Sequence, residues 1–146
     1  MANMLQNFAQ IMYVFDVLPA QVLAATGPGT GVSIAPSATN WLSARLHVAV
    51  VTGLTTYDVK LQASATLGGT YIDIPNAFFP TVTAANINKM IDFQMPPIVL
   101  PTDPPFLFVR AVSTLVGTSV NVHCEVFGTI KSSGTAAYVQ QPLPIN

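Results

Sequence analysis

Two segments of this chain alternate between apolar and polar side chains, and this period of two constrains the fold more than any other feature of the sequence. The apolar positions are Leu42, Ala44, Leu46, Val48 and Val50 in the first segment and Val120, Val122, Cys124 and Val126 in the second. Successive side chains of a β-strand point to opposite faces, so each segment is predicted to be a strand that buries one face. His47 and His123 fall on the polar faces.

Further strands are predicted where residues with high β propensity are bounded by Gly and Pro turn signals. They cover residues 11–18, 31–35, 57–64, 70–75, 106–113 and 119–130, and the first of them is expected to end at Pro19. We expect the segments 42–50 and 57–64 to pair as a hairpin across the turn at 52–56. The strands at 106–113 and 119–130 are expected to pair as a second hairpin.

Residues 75–105 contain seven of the twelve prolines of the chain. Proline has no backbone N–H, so it interrupts the hydrogen-bond ladder of a central strand. This region is therefore predicted to form long loops that cross an edge or an end of the sheets, with a central strand expected only at 89–94. Residues 84–90 are predicted to form a single helical turn.

About eight short strands separated by turns indicate an all-β chain folded as an antiparallel β-sandwich or jelly roll. The length of 146 residues allows one domain. We assign residues 11–131 to the sandwich, residues 1–10 to an extended N-terminal arm, and residues 132–146 to a C-terminal extension without a charged side chain.

The composition limits the kinds of partner that this chain can have. Charged residues make up 8% of the sequence, against about 25% in an average soluble protein. The net charge is −1 and no basic patch is present, which argues against nucleic acid as a partner. No apolar run reaches the roughly 18 residues of a membrane span. A surface with so little charge is expected to be covered in part by other chains.

The first Lys or Arg is Arg45, so the positively charged start of a secretory signal peptide is not expected. The single cysteine, Cys124, excludes an internal disulfide framework.

Catalysis is not predicted. Cys124 and His123 are neighbours in sequence, but alternation points their side chains to opposite faces, so they are not expected to form a nucleophile–base pair. Asp58 and Asp73 could serve as paired carboxylates of a glycosidase, although their alternative role is to keep the surface soluble. The glycine-rich segment 26–31 lacks the following lysine and helix of a phosphate-binding loop and is predicted to be a turn.

The polar residues of the two alternating strands allow two interpretations, a metal site or a solvated polar face. His47, His123 and Glu125 can approach one another only if their two strands are neighbours in one sheet, and no spacing motif requires this. The alternative is a solvated face on which Arg45 and Glu125 form a cross-strand pair. We expect no enzyme activity, no cofactor and no bound metal.

Exposed aromatic side chains on one face would be typical of a carbohydrate-binding sandwich. The candidates are Trp41, Tyr57, Tyr71, Phe78, Phe79, Phe106 and Phe108. Trp41 is expected in the core, because large aromatic side chains are mostly buried. Phe78 and Phe79 are expected as an exposed pair in a loop, where a partner subunit would cover them.

Two stretches resemble elements of small β-sandwich proteins in the virions of tailed bacteriophages. Residues 57–75 (YDVKLQASATLGGTYIDIP) contain a strand ending in LQ-x-S, a Gly turn and an aromatic-plus-D-I step. Residues 106–131 (FLFVRAVSTLVGTSVNVHCEVFGTIK) resemble the final hairpin of the same group. The resemblance covers about half of the chain. It implies a capsid cement (decoration) protein that forms a homotrimer on the outside of the head and binds the major capsid protein.

On this hypothesis the arm, one loop and the tail make the contacts between subunits. The contact residues are predicted to be Met4, Leu5, Phe8, Ile11, Phe78, Phe79, Tyr138, Leu143 and Ile145.

Three alternatives stay open. A tail or neck component of a virion would be an equally interface-rich β domain. A carbohydrate-binding module would show glycan affinity that depends on one exposed aromatic side chain. A shell-forming coat protein that packages RNA usually has a basic arm, whereas residues 1–44 contain no Lys or Arg.

Overall fold

The computed structural model describes residues 12–34, 41–86, 91–99 and 106–129. The predicted contact residues of the arm and the tail lie outside these ranges; they are Met4, Leu5, Phe8, Ile11, Tyr138, Leu143 and Ile145. The proposed N-terminal arm (1–10) and C-terminal extension (132–146) therefore stay predictions.

The described chain is built from β-strands. Its seven longer strands are β1 (Met12–Leu23), β4 (Trp41–Thr52), β5 (Thr56–Ser64), β6 (Ile72–Phe78), β8 (Ile91–Val99), β9 (Phe108–Val116) and β10 (Ser119–Thr129). Three strands have two residues each: β2 (Gly27–Pro28), β3 (Val32–Ser33) and β7 (Val82–Thr83). The predicted helical turn is present as a single 3-10 turn, Ala84–Asn86. No helix in the described ranges is long and apolar enough to cross a membrane.

The strands form two antiparallel sheets that pack as a β-sandwich, which confirms the predicted fold class. Sheet A has the strand order β1-β10-β4-β8. Sheet B has the order β2-β9-β5-β6, with β3 also paired to β9 and β7 to β5. Both predicted hairpins are wrong, because β4 and β5 belong to different sheets, as do β9 and β10.

The reason lies in two short connections that cross together from one sheet to the other. In sheet A, Thr52 pairs with Ser119, and in sheet B, Thr56 pairs with Val116. Between these ladders the Thr118 amide donates a hydrogen bond of 3.3 Å to the Gly53 carbonyl. The β4–β10 ribbon of sheet A thus continues as the β5–β9 ribbon of sheet B. Alternation predicts strands and faces correctly, but it does not tell a hairpin from such a crossing.

The prolines found within described strands lie on edge strands, as the missing N–H requires. β6 contains Pro75 and β8 contains Pro96 and Pro97, and both strands are at sheet edges. Strands therefore run through much of the region that was predicted to be loop. β1 also continues past Pro19 to Leu23, because its pairing with β10 shifts between Leu18 and Gln21 at a bulge.

The core lies between the sheets and contains the predicted apolar positions that are described. Its largest fully buried side chains are Tyr57, Leu42, Leu46, Leu61, Val17, Val48, Val59, Val82, Val109, Val120, Val122 and Val126. Tyr57 was a candidate surface aromatic, but its ring is in the core and its hydroxyl shares a hydrogen bond of 2.9 Å with Ser113. Burial raises the pKa of Tyr57 to about 12.

The two ends of the sandwich differ in their connections. We call the end with Gly53 and Gly117 the corner end. At the opposite end of sheet A, Met12 of β1 pairs with Thr129 of β10; these are the first and last residues that the structure describes. We call this the terminal end. It also contains the turn between β5 and β6, which includes Leu67.

Candidate functional site

The outer face of sheet A brings together titratable side chains that are far apart in the sequence. β4 and β10 are neighbours, and His47 lies directly opposite His123. Their rings are stacked, with centroids 5.6 Å apart and planes 17° apart. The condition that the sequence left open for His47, His123 and Glu125 to meet is therefore fulfilled.

One ligand atom from each of these three side chains lies within 4.8 Å of the others. The Nε2 atom of His47 is 4.0 Å from Oε2 of Glu125, and Nε2 of His123 is 3.8 Å from Oε1 of the same carboxylate. The three side chains are half-buried. Both imidazoles therefore present the same kind of nitrogen to one carboxylate.

Asp16 on β1 is the member of this cluster that sequence reasoning missed. Its Oδ1 atom is 2.9 Å from Nε2 of His123, across 107 positions of sequence. Asp16 pairs with Glu125 in the register of β1 and β10. The available signal was a lone acidic residue in an otherwise apolar strand, but its partners depend on which strand lies next to β1.

Arg45 stands opposite Glu125 in the β4–β10 register, as the predicted cross-strand pair requires. In the backbone register of β8, Asp92 pairs with His47. Arg45 thus places a fixed positive charge in register with the Glu125 carboxylate.

Cys124 takes no part in this face. Its thiol is fully buried in the core, as predicted, and desolvation raises its pKa to about 12. A thiol in that state is a poor nucleophile at neutral pH. The expected lack of a Cys–His pair follows from the geometry, because Cys124 and His123 face opposite sides of sheet A.

The outer face of sheet B carries a polar network whose members satisfy one another. Asp73 accepts a hydrogen bond of 2.7 Å from Lys60 and another of 2.7 Å from Gln62. These two hydrogen bonds, above all the one from Lys60, lower the pKa of the Asp73 carboxyl. Arg110 donates from Nε and Nη2 to the side-chain oxygen Oε1 of Gln62. The Arg110 Cζ atom also lies 4.0 Å from the centroid of the Tyr71 ring.

Asp58 and Asp73, considered above as a carboxylate pair, have separate partners. Asp73 belongs to the network just described. Asp58 accepts a hydrogen bond of 2.5 Å from the Thr81 hydroxyl. Each carboxylate therefore has a structural role on the surface of sheet B.

Phe78 and Phe79 do not form the exposed pair that was predicted. Phe78 ends β6 and is 65% exposed, whereas Phe79 is 3% exposed and packs into the core. Phe79 follows the end of β6, where its amide donates to the Val59 carbonyl at 2.9 Å, and its buried ring is not available to a partner. Phe78 borders a surface groove of about 280 Å³ that is also lined by Asp58, Lys60 and Thr81.

Large apolar side chains are exposed at the terminal end. Leu67, Ile72 and Leu107 are between 40% and 56% exposed. Leu107 is tied to the end of β5 because its amide donates to the Ser64 carbonyl at 3.0 Å. Single exposed apolar side chains are ordinary, but three of them at the terminal end form a candidate contact surface.

Comparison with known proteins gives no family. No protein-family model matches the chain, and no curated protein sequence does. One similar solved structure is the C-terminal family 22 carbohydrate-binding module of Clostridium thermocellum Xyn10B, with 14% identity, a TM-score of 0.45, and coverage of 81% of this chain and 86% of that chain. Another is a xylan-binding domain of the same family, with 13% identity, a TM-score of 0.45, and coverage of 80% and 86%. A likeness at this level says nothing about what this chain binds.

Proposed function

We propose that the protein is a structural virion protein of the capsid-cement type, which binds the outside of a phage head and stabilises the shell through contacts between subunits. The observation that carries this proposal is the surface of the terminal end. There Leu67, Ile72 and Leu107 are exposed on a chain in which 8% of the residues are charged. The resemblance of residues 57–75 and 106–131 to tailed-phage virion proteins supplies the virion setting.

The arrangement of the terminal end supports a role in assembly. Met12 and Thr129 pair at the end of sheet A that is opposite the corner end, and Leu67 and Leu107 lie at the corresponding end of sheet B, where Ser64 pairs with Phe108. Covering apolar surface stabilises an assembly by about 25 cal/mol for each Å² that leaves water. Leu67 and Leu107 together with the two terminal segments would therefore form one contact region.

The mechanism is passive. Each subunit bridges neighbouring shell proteins and adds contact area, and no bond is made or broken. A stable contact buries about 1,600 Å² in total, although area alone does not set affinity. Repetition over a shell multiplies weak contacts by avidity. A homotrimer would let three terminal ends act together on the major capsid protein.

The test is the mass of the full chain in solution, measured by light scattering after size exclusion. We expect a mass near three times 15.4 kDa for the wild type. Leu67→Ser and Leu107→Ser should shift the population towards the monomer. Val116→Ser is the matched control, because Val116 is 50% exposed but lies at the corner end. A wild-type monomer, or equal effects of all three changes, would contradict the proposal that the terminal end is the contact surface.

A second candidate, a carbohydrate-binding module, is favoured by one observation. Phe78 lies 65% exposed along a groove that also contains Asp58, Lys60 and Thr81. An aromatic face beside polar hydrogen-bonding groups is an arrangement suited to a sugar ring. This reading places the site on sheet B, away from the terminal end.

Affinity electrophoresis in gels that contain soluble polysaccharides, xylan among them, separates the two candidates. A module of this kind would be retarded in one of the gels, and Phe78→Ala would abolish the retardation. Phe127→Ala on the outer face of sheet A is the control. Equal mobility in every gel would remove this candidate and leave the assembly proposal unaffected.

A further inference from the structure

We propose that His47, His123 and Glu125, with Asp16, form a binding site for one divalent transition-metal ion, best suited to Zn²⁺, on the outer face of sheet A. The site is independent of the assembly role. Its four side chains come from three adjacent strands, β1, β10 and β4.

The donor atoms match the chemistry of zinc. Zn²⁺ takes imidazole nitrogen and carboxylate oxygen in tetrahedral sites, with bonds of about 2.0 to 2.2 Å. Two imidazoles disfavour Mg²⁺ and Ca²⁺, which prefer sites made of oxygen. The three grouped side chains offer two nitrogens and one carboxylate, and the Asp16 carboxylate beside His123 would supply a fourth coordination position.

The distances are close to those of a formed site. Ligand atoms of a tetrahedral zinc ion lie about 3.4 Å apart, as follows from these bond lengths. Here the two His–Glu125 distances are 4.0 and 3.8 Å, and the three ligand atoms lie within 4.8 Å of one another. The two imidazole rings, stacked with planes 17° apart, would have to rotate about their side-chain bonds to bring both Nε2 atoms onto one ion.

Asp16 has a defined place in the site. Its carboxylate is 2.9 Å from the same His123 nitrogen that faces Glu125. When that nitrogen binds an ion, it no longer carries a proton to share with Asp16, so the Asp16 oxygen is free to become the fourth ligand. Two carboxylates also balance the charge of a divalent ion beside Arg45, which stands opposite Glu125.

The ion would join strands that are distant in sequence. Asp16 and His123 are 107 positions apart, and His47 comes from β4 on the other side of β10. A metal clip that closes a long loop restricts the unfolded chain, so it stabilises the fold when bound. The function assigned to the site is therefore a structural staple across sheet A.

The test is isothermal titration of the tag-free full chain with ZnCl₂. We expect one ion per chain in the wild type. His47→Ala and His123→Ala should each weaken binding at least about 100-fold, since even partners outside the coordination shell contribute about 10- to 100-fold. Glu125→Gln keeps the shape of the side chain and should weaken binding strongly, and Asp16→Asn should weaken it by about 10-fold.

Controls keep the outcome decisive. Asp58→Asn removes an acidic group from sheet B and should leave zinc affinity unchanged. Thermal unfolding without metal shows that each variant is folded, and the visible absorption of bound Co²⁺ reports whether the ligands are tetrahedral. Failure of the wild type to bind Zn²⁺ would overturn the proposal. Wild-type affinity in folded His47→Ala or His123→Ala would overturn it as well.

Discussion

The corner end and the terminal end of the sandwich are built in opposite ways. At the corner end, two short connections contact each other through backbone atoms, with Thr118 bonded to Gly53 and the Thr55 amide donating 2.7 Å to the Val116 carbonyl. At the terminal end, backbone bonds such as that from the Leu107 amide to the Ser64 carbonyl are joined by side-chain contacts, among them the Tyr71 hydroxyl, which donates to the Leu67 carbonyl at 3.2 Å. Leu67 and Leu107 stay exposed there.

The difference indicates that the corner end is held rigidly by its backbone contacts, whereas the terminal end has exposed side chains that a partner could contact. Backbone packed on backbone cannot move aside, because the hydrogen-bond ladders of both sheets begin there. A side chain at the terminal end can rotate. We therefore expect substitutions at the corner end to affect stability, and substitutions at the terminal end to affect association.

The largest effect is expected from Gly117→Ala. Gly117 has a φ of 145°, which side chains rarely allow. An added Cβ would come within 2.5 Å of the Gly53 carbonyl oxygen and 2.8 Å of the Leu54 Cα. We expect a loss of about 3 kcal/mol or more, measured as a lower midpoint of urea unfolding. Gly68→Ala, which meets nothing within 4 Å, is the control. Equal urea midpoints for the two variants would contradict the expectation that substitutions at the corner end affect stability most.

The second largest effect is a loss of stability at alkaline pH. It comes from Tyr57, which pairs with Leu115 near the corner end. Its folded pKa is about 12 and its ordinary value is 10.0, so the unfolded chain loses this proton first. The contribution of Tyr57 to the free energy of unfolding is fully present below pH 10. It is lost as the pH rises towards 12, and the total loss is about 2 to 3 kcal/mol.

Urea unfolding at several pH values measures the alkaline loss. Tyr57→Phe should be about 1 to 2 kcal/mol less stable at neutral pH, because Ser113 loses its buried partner, but it should lose less between pH 10 and 12. Cys124, whose pKa is also about 12, contributes equally to both proteins. The same pH slope in both proteins would contradict the role of Tyr57.

The smallest effect is expected from Gly31→Ala at the terminal end. The added Cβ would overlap the Tyr71 hydroxyl and contact Leu67 Cδ1 at 3.2 Å, and both are ends of side chains. Tyr71 can rotate away at the expense of its bond to Leu67. We expect a loss below about 1 kcal/mol in the same urea assay. A loss as large as that of Gly117→Ala would show that the terminal end is as rigid as the corner end.

The sequence predicted the local features well, because they depend on neighbours a few positions away. The period of two identified the buried faces of β4, β5 and β10, with Ser64 as a buried exception at the end of β5. It also placed Cys124 in the core, on the face of the sheet opposite to that of His123. The prolines were interpreted wrongly as strand ends and loops, because β1 and β8 run through theirs at bulges or irregular pairing on sheet edges.

Only the tertiary structure decided which strands are neighbours. Alternation fixes the face of a side chain but leaves open which strand lies beside it, since that choice depends on packing between distant segments. This is why both hairpins were wrong, and why Asp16 was missed although His47, His123 and Glu125 were considered together. The alternation of apolar and polar residues predicted a β-sandwich, and the composition left it with few charged side chains. The register of β1, β10 and β4 decided that the ligand atoms of His47, His123 and Glu125 lie within 4.8 Å of one another and that Asp16 contacts His123.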